Sequence, residues 1–246
     1  MNLKKYRPLF VVLGAGILGF FWRVLLYRTG FDDRGILSAS QPLHLGCLIL
    51  TALVALFLAL KAKTFPDAPQ DLPRFRLPLG LTAGCCLLVQ ALRLCRRISG
   101  PLVLLQCALT AAAAVAMVVC ALPLKKSRSL ASGCHGLICI GFAADMLGRY
   151  QGWSGNPQLP DYVFHVLAGV ALSLTAYQTL ALHTGLGSPK WQKFWGLWGI
   201  FLSLLCLAGP VPGEFYLGGA CWTIVCLMTT LPPAEDVPQE DADVSA

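Results

Sequence analysis

The run PLVLLQCALTAAAAVAMVVCAL, Pro101–Leu122, decides the fold, because it is 22 residues long and carries no charge. An α-helix needs about 20 predominantly apolar residues to cross the hydrocarbon core of a bilayer. A transmembrane strand would be about half as long and would alternate strictly between apolar and polar positions. The run is therefore read as a membrane-spanning helix. Working outward between charged or Pro/Gly-rich breaks, seven further runs read the same way: Pro8–Tyr27, Leu43–Leu60, Leu77–Cys95, Ser129–Gly148, Tyr162–His183, Phe194–Gly209 and Phe215–Leu231. The last two are short, and Pro210-Val-Pro-Gly213 leaves room only for a tight turn, so they are expected to pair as a helical hairpin. The expected architecture is all-α, a polytopic transmembrane bundle of eight spans over residues 1–231, followed by an acidic tail.

Composition supports this. The chain has 246 residues, 56% hydrophobic and 13% charged, about half of the roughly 25% charge of a soluble domain. A water-soluble enzyme, an extended nucleic-acid binder and a disordered chain are excluded.

Cytoplasmic segments of membrane proteins carry the excess of Lys and Arg. With the N-terminus inside, the inner side holds Lys4, Lys5, Arg7, Lys61, Lys63, Arg74, Arg76, Lys125, Lys126, Arg128, Lys190 and Lys193, which includes every lysine. The outer side holds Arg23, Arg28, Arg34, Arg93, Arg96, Arg97 and Arg149. An even number of spans then places both termini in the cytoplasm, and the net charge of +7 is mainly a topology signal. No nucleic-acid partner is expected. Lys4-Lys5-Tyr6-Arg7 before an apolar core mimics a secretory signal, but no small-residue cleavage site follows closely, so the first run is read as an uncleaved span. Residues 232–246 contain Glu235, Asp236, Glu240, Asp241 and Asp243 and no aromatic residue, and are expected to be a disordered cytosolic tail.

Arg28 and His44 bracket one loop and Arg149 and His165 another, each pair sixteen residues apart and the two offset by 121. This admits a weak 4+4 repeat in parallel orientation. Gly14, Gly16 and Gly19 match G-x-G-x-x-G, but a dinucleotide site needs a strand before it and βαβ units after it. These glycines are read instead as close helix-packing positions. All eleven cysteines fall in or at the ends of apolar runs with no C-x-x-C, and are read as buried free thiols. No metal or cofactor is expected.

Intramembrane ionisable groups are costly and are the strongest functional pointers in such a chain. Gln90, Arg93 and Arg97 follow at i, i+3, i+7; Arg23 and Tyr27, Asp145 and Arg149, and Asp161 and His165 each follow at i, i+4. All lie toward the outer third of the membrane. The candidate ligand-binding set is Arg23, Arg93, Arg97, Asp145, Arg149, Asp161 and His165. One reading has these groups snorkel to headgroups and pair to fix helix packing. The other has them line an outward-facing site for a small anion or an anionic lipid headgroup. No catalytic constellation is assigned: neither G-x-S-x-G nor a Walker A motif is present.

Leu26-Tyr-Arg-Thr-Gly-Phe-Asp-Asp-Arg-Gly-Ile-Leu37 resembles a recurrent element that follows the first span in polytopic membrane proteins of Clostridia-type bacteria. Pro160-Asp-Tyr-Val-Phe164, Leu174-Thr-Ala-Tyr177 and Lys190-Trp-Gln-Lys-Phe194 are similar too. The resemblance implies a multi-pass protein of a bacterial cytoplasmic membrane and no assigned activity. Three functions follow as expectations: a transporter-like or ligand-binding role near the outer face, a non-catalytic accessory or assembly subunit, and, as a weaker option, an enzyme acting on a lipid headgroup with Asp161 and His165 as acid and base.

Overall fold

The computed structural model describes residues 7–30, 42–61, 73–97, 100–122, 128–153, 159–209 and 211–228. Asp32, Asp33, Arg34, Lys125, Lys126 and the expected acidic tail lie outside these. Among the described residues eight helices form and no strand: α1 Arg7–Thr29, α2 Pro42–Lys61, α3 Pro73–Cys95, α4 Pro101–Ala121, α5 Arg128–Trp153, α6 Leu159–His183, α7 Pro189–Cys206 and α8 Glu214–Met228. Proline opens α2, α3, α4 and α7, where its fixed φ suits the first turn and its missing N–H has no intrahelical acceptor to lose. Inside the helices, the hydroxyls of Thr51, Thr110, Thr175 and Thr179 donate to the carbonyl four residues back at 2.7–2.8 Å. An apolar surround demands such internal satisfaction. The chain leaves α6 through Gly185, whose φ of +81° is the left-handed conformation that favours glycine.

Helices α1 to α6 are each long and apolar enough to cross a membrane. Their outward faces carry large apolar side chains such as Phe21, Leu60, Leu92 and Leu102, each more than 60% exposed. A surface of this kind is matched by lipid rather than by water. The last two helices differ. At 15 residues, α8 measures about 22 Å, short of the roughly 30 Å hydrocarbon core. The expectation of eight spans thus resolves into six long helices and a short interior hairpin. The start of α7 falls at Pro189, five residues before the expected Phe194, because Lys190, Gln192 and Lys193 interrupt the apolar run without interrupting the helix.

Helices α3, α4, α5 and α6 pack side by side in chain order, while α8 lies against α3, α6 and α7. In turn α7 packs on α1, α6 and α8, and α2 packs on α1 and α7. The bulk of α8 faces inward: Phe215, Tyr216 and Trp222 are at most 2% exposed. Phe142 of α5 meets Phe215 and Trp222 with ring centroids 5.4 and 5.6 Å apart. Gly218 and Gly219 let α3 and α6 approach α8 on two adjoining faces: a Cβ on Gly218 would come within 2.9 Å of Leu87 and Cys86, and one on Gly219 would collide with Leu172. On α1, Gly16 and Gly19 receive Leu204 and Leu205 of α7, the close-packing role expected of two of the three glycines, whereas Gly14 meets nothing within 4 Å.

The packing lacks the exchange symmetry of a 4+4 repeat. Helices α3 and α8, α4 and α5, and α6 and α7 form interfaces, while the counterparts α7 and α4, α8 and α1, and α2 and α3 form no comparable ones. The cysteines also depart from expectation: Cys95 and Cys107 form a disulfide between the end of α3 and the start of α4. The remaining nine are free. Spacing could not reveal this pair, since the bond depends on α3 and α4 packing side by side, which brings the two residues to a Cα separation of 6.1 Å.

Two measurements test this packing. Replacing Gly218 by Leu should lower the melting temperature through a loss of about 1–3 kcal/mol, whereas Gly133→Ala, where an added Cβ meets nothing within 4 Å, should not. Under denaturing, non-reducing conditions a maleimide should label two fewer cysteines than after reduction, and Cys107→Ser should abolish the difference.

Candidate functional site

Four residues separate Asp145 from Arg149 on α5, which puts both side chains on one helix face. Asp145 has no exposed surface. An ionised carboxylate there is tolerable only if charge and hydrogen bonds replace its water. Its Oδ2 accepts from Arg149 Nε. Its Oδ1 lies 3.2 Å from Gln90 Nε2 of α3 and 3.4 Å from Gln106 Nε2 of α4. Three helices therefore donate to one carboxylate. Gly148 makes room for this, because any Cβ there would overlap the Gln106 amide.

The Arg149 guanidinium lies over two rings of α8, its Cζ 4.9 Å from the Phe215 centroid and 5.6 Å from that of Tyr216. Its side chain is 11% exposed. Its Nη2 is buried and meets no acceptor among the described residues, and Gln90 Oε1, also buried, meets no donor there. The Tyr216 hydroxyl lies 2.8 Å from His165 Nδ1 of α6. Gly209, in the turn between α7 and α8, passes over the other side of that imidazole, where a Cβ would come within 3.1 Å of Nε2.

Arg23 of α1 completes the layer and is fully buried. Its Nη1 donates to the Leu205 carbonyl at 3.4 Å and its Nη2 to the Tyr27 hydroxyl at 2.7 Å. The guanidinium stacks on Phe164, 5.0 Å from its centroid. Phe164 in turn meets His44 of α2 edge-on at 5.7 Å. Leu205 belongs to the last turn of α7, whose orphan carbonyls and negative dipole end favour a cation. Arg76 of α3 does the same for α4 at the opposite end of the bundle, donating to Cys120 O at 2.7 Å. The charges of Arg23 and Arg149 both reach His165.

Of the residues expected at a site, Arg23, Asp145, Arg149 and His165 thus gather in one buried layer at the end of the bundle where α5 finishes and α6 begins. Arg93 and Arg97 stand apart. Arg93 points outward, half exposed, and pairs with Glu214 at the start of α8; Arg97 lies beyond the end of α3 and is exposed. The shared face implied by i, i+3, i+7 spacing ends where the helix does. Asp161 falls in α6, but its side chain lies outside the described residues.

Gln106 and Tyr216 belong to the layer and were not among the expected residues. Gln106 carried a signal, as the only amide in a run otherwise free of polar groups larger than Thr110. Tyr216 carried none, since its role depends on where the hairpin docks. A smaller group lies at the other end: His135 places Nδ1 2.7 Å from the Ala131 carbonyl and its ring 5.0 Å from that of His183. Among the described residues no set of three His, Cys, Asp or Glu side chains is arranged to hold a metal ion. No family model, curated protein or solved structure matches the chain.

A double-mutant cycle tests the pairing at Asp145. Asp145→Ala and Arg149→Ala should each destabilise by about 3–5 kcal/mol, because each strands a buried charge. The double variant should lose less than the sum by about 1–3 kcal/mol. Chemical denaturation in detergent micelles measures all three.

Proposed function

We propose that this multi-pass membrane protein binds a small anion, in a transporter-like manner, at the layer around Asp145, Arg149, Tyr216 and His165. One observation carries the reading: Arg149 Nη2, buried and held against two aromatic rings, has no protein acceptor among the described residues. A buried donor without an acceptor forfeits about 1–3 kcal/mol. Arginine's planar fork suits the two oxygens of a carboxylate or oxyanion. Arg23 adds positive potential, and the Tyr216 hydroxyl supplies a further polar contact. The chemistry sought is an anionic oxygen group, free or on a lipid headgroup.

The layer faces the outer side of a bacterial cytoplasmic membrane, with both termini inside. The concentration of lysine at the opposite end supports this orientation. So does the Cys95–Cys107 disulfide at the same end as the layer, because disulfides persist in oxidising compartments. The resemblance of residues 26–37 to an element of Clostridia-type membrane proteins supports the bacterial source.

A second reading, an accessory subunit in which the same groups only lock helices together, is favoured by the convergence of three helices on Asp145. Thermal-shift measurements in phosphatidylcholine nanodiscs separate the two. Acetate or sulfate at millimolar concentration should raise the melting temperature, and Arg149→Lys, which keeps the charge and loses the fork, should reduce that shift at least tenfold in apparent affinity. Stabilisation only on introducing phosphatidylglycerol would identify a headgroup as the ligand. Equal behaviour of wild type and Arg149→Lys in every arm would leave the locking role alone.

A further inference from the structure

Resting on that reading, we infer that anion binding is coupled to uptake of one proton by Asp145, which serves as the internal counter-ion an incoming anion displaces. The geometry around the carboxylate supports this in three ways.

The first is occupancy. Asp145 Oδ2 holds Arg149 Nε, the side of the guanidinium next to the vacant Nη2. An anion that takes the Nε–Nη2 edge of Arg149 needs the nitrogen Asp145 uses. With Asp145 still ionised, two negative charges would share one arginine in a medium where like charges interact strongly. With Asp145 protonated, the carboxyl releases Arg149 and the formal charge of the layer is unchanged: one anion and one proton enter together.

The second is the choice of amide neighbours. Both other donors to Asp145 are glutamines, and an amide turned about its last torsion presents a carbonyl in place of an NH₂. A pair of glutamines can serve a carboxylate as donors and a carboxylic acid as acceptor, which two arginines or lysines could not. The third is that Gln90 Oε1, buried and without a hydrogen-bond partner, is the acceptor a protonated Asp145 would need.

The charged and titratable groups facing Asp145 come from each neighbouring element. They are Arg149 on its own helix, Tyr216 of α8, and, through Tyr216, His165 of α6, Cys206 of α7 and Arg23 of α1. Only the amides of Gln90 and Gln106 face it from α3 and α4. Among these groups His165 is the alternative proton acceptor, and the test separates it from Asp145.

Binding of sulfate and acetate, both of fixed charge between pH 6 and 8, is measured on the intact protein in phosphatidylcholine nanodiscs. Wild-type affinity should rise about tenfold for each unit the pH falls. Calorimetry in buffers of different ionisation heat should show close to one proton taken up per anion. Asp145→Asn, permanently neutral, should melt lower without anion, be stabilised by either one, and show no pH dependence. A flat wild-type affinity with no proton uptake would overturn the coupling while leaving the binding site in place. So would a slope that survives in Asp145→Asn, since the proton would then reside on His165. Absence of sulfate and acetate binding at any pH in wild type and Asp145→Asn, together with no stabilisation by phosphatidylglycerol, would overturn the binding site itself, and the coupling with it. Where Asp145→Asn fails to fold, His165→Gln takes its place: proton uptake that persists there supports Asp145 as the acceptor, and uptake that disappears overturns it.

Discussion

The structure depends on keeping one carboxylate charged, or neutral and hydrogen-bonded, where no water reaches it. Asp145 has no exposed surface, and moving a bare carboxylate into such surroundings is prohibitive. The bundle answers with Arg149 one turn away and with amides from the two preceding helices in space. This imposes register on α3, α4 and α5 together, because sliding any one by a residue would withdraw its donor. The arginine must then be positioned as well. Phe215 and Tyr216 do so, bringing α8 into the same constraint.

The short hairpin follows from this. Interior space in a bundle of six long helices has to be filled, and α8 fills it with Trp222, Phe215 and Tyr216 while conceding Gly218 and Gly219 where α3 and α6 press closest. An element that is itself surrounded by helices need not match the bilayer thickness, which is why α7 and α8 can be shorter than their neighbours.

Charge-free runs such as Pro101–Leu122 made the helices legible in the sequence, since a bilayer leaves few alternatives for such segments. The pairing of Asp145 with Arg149 and of Arg23 with Tyr27 was legible for a local reason: helical spacing alone brings each pair together. What spacing could not reveal was contact between helices. Gln106 and Tyr216 enter the layer from α4 and α8, and Cys107 finds Cys95 across a turn, through tertiary packing that no single run encodes. Arg93 and Arg97 illustrate the converse. Their sequence neighbourhood resembles that of Gln90, yet helix rotation and the end of α3 carry them outward.

The Arg23–Leu205 hydrogen bond spans 182 positions of the chain, whereas the partners of Asp145 all lie between Gln90 and Arg149. A ribosome therefore completes the set of hydrogen-bond donors to the carboxylate once the fifth helix has emerged, but delivers the carbonyl that Arg23 grips only with the seventh. Assembly has two stages built into its order of synthesis: a central group of helices that can settle early, and α1, whose final seat is created only when α7 follows.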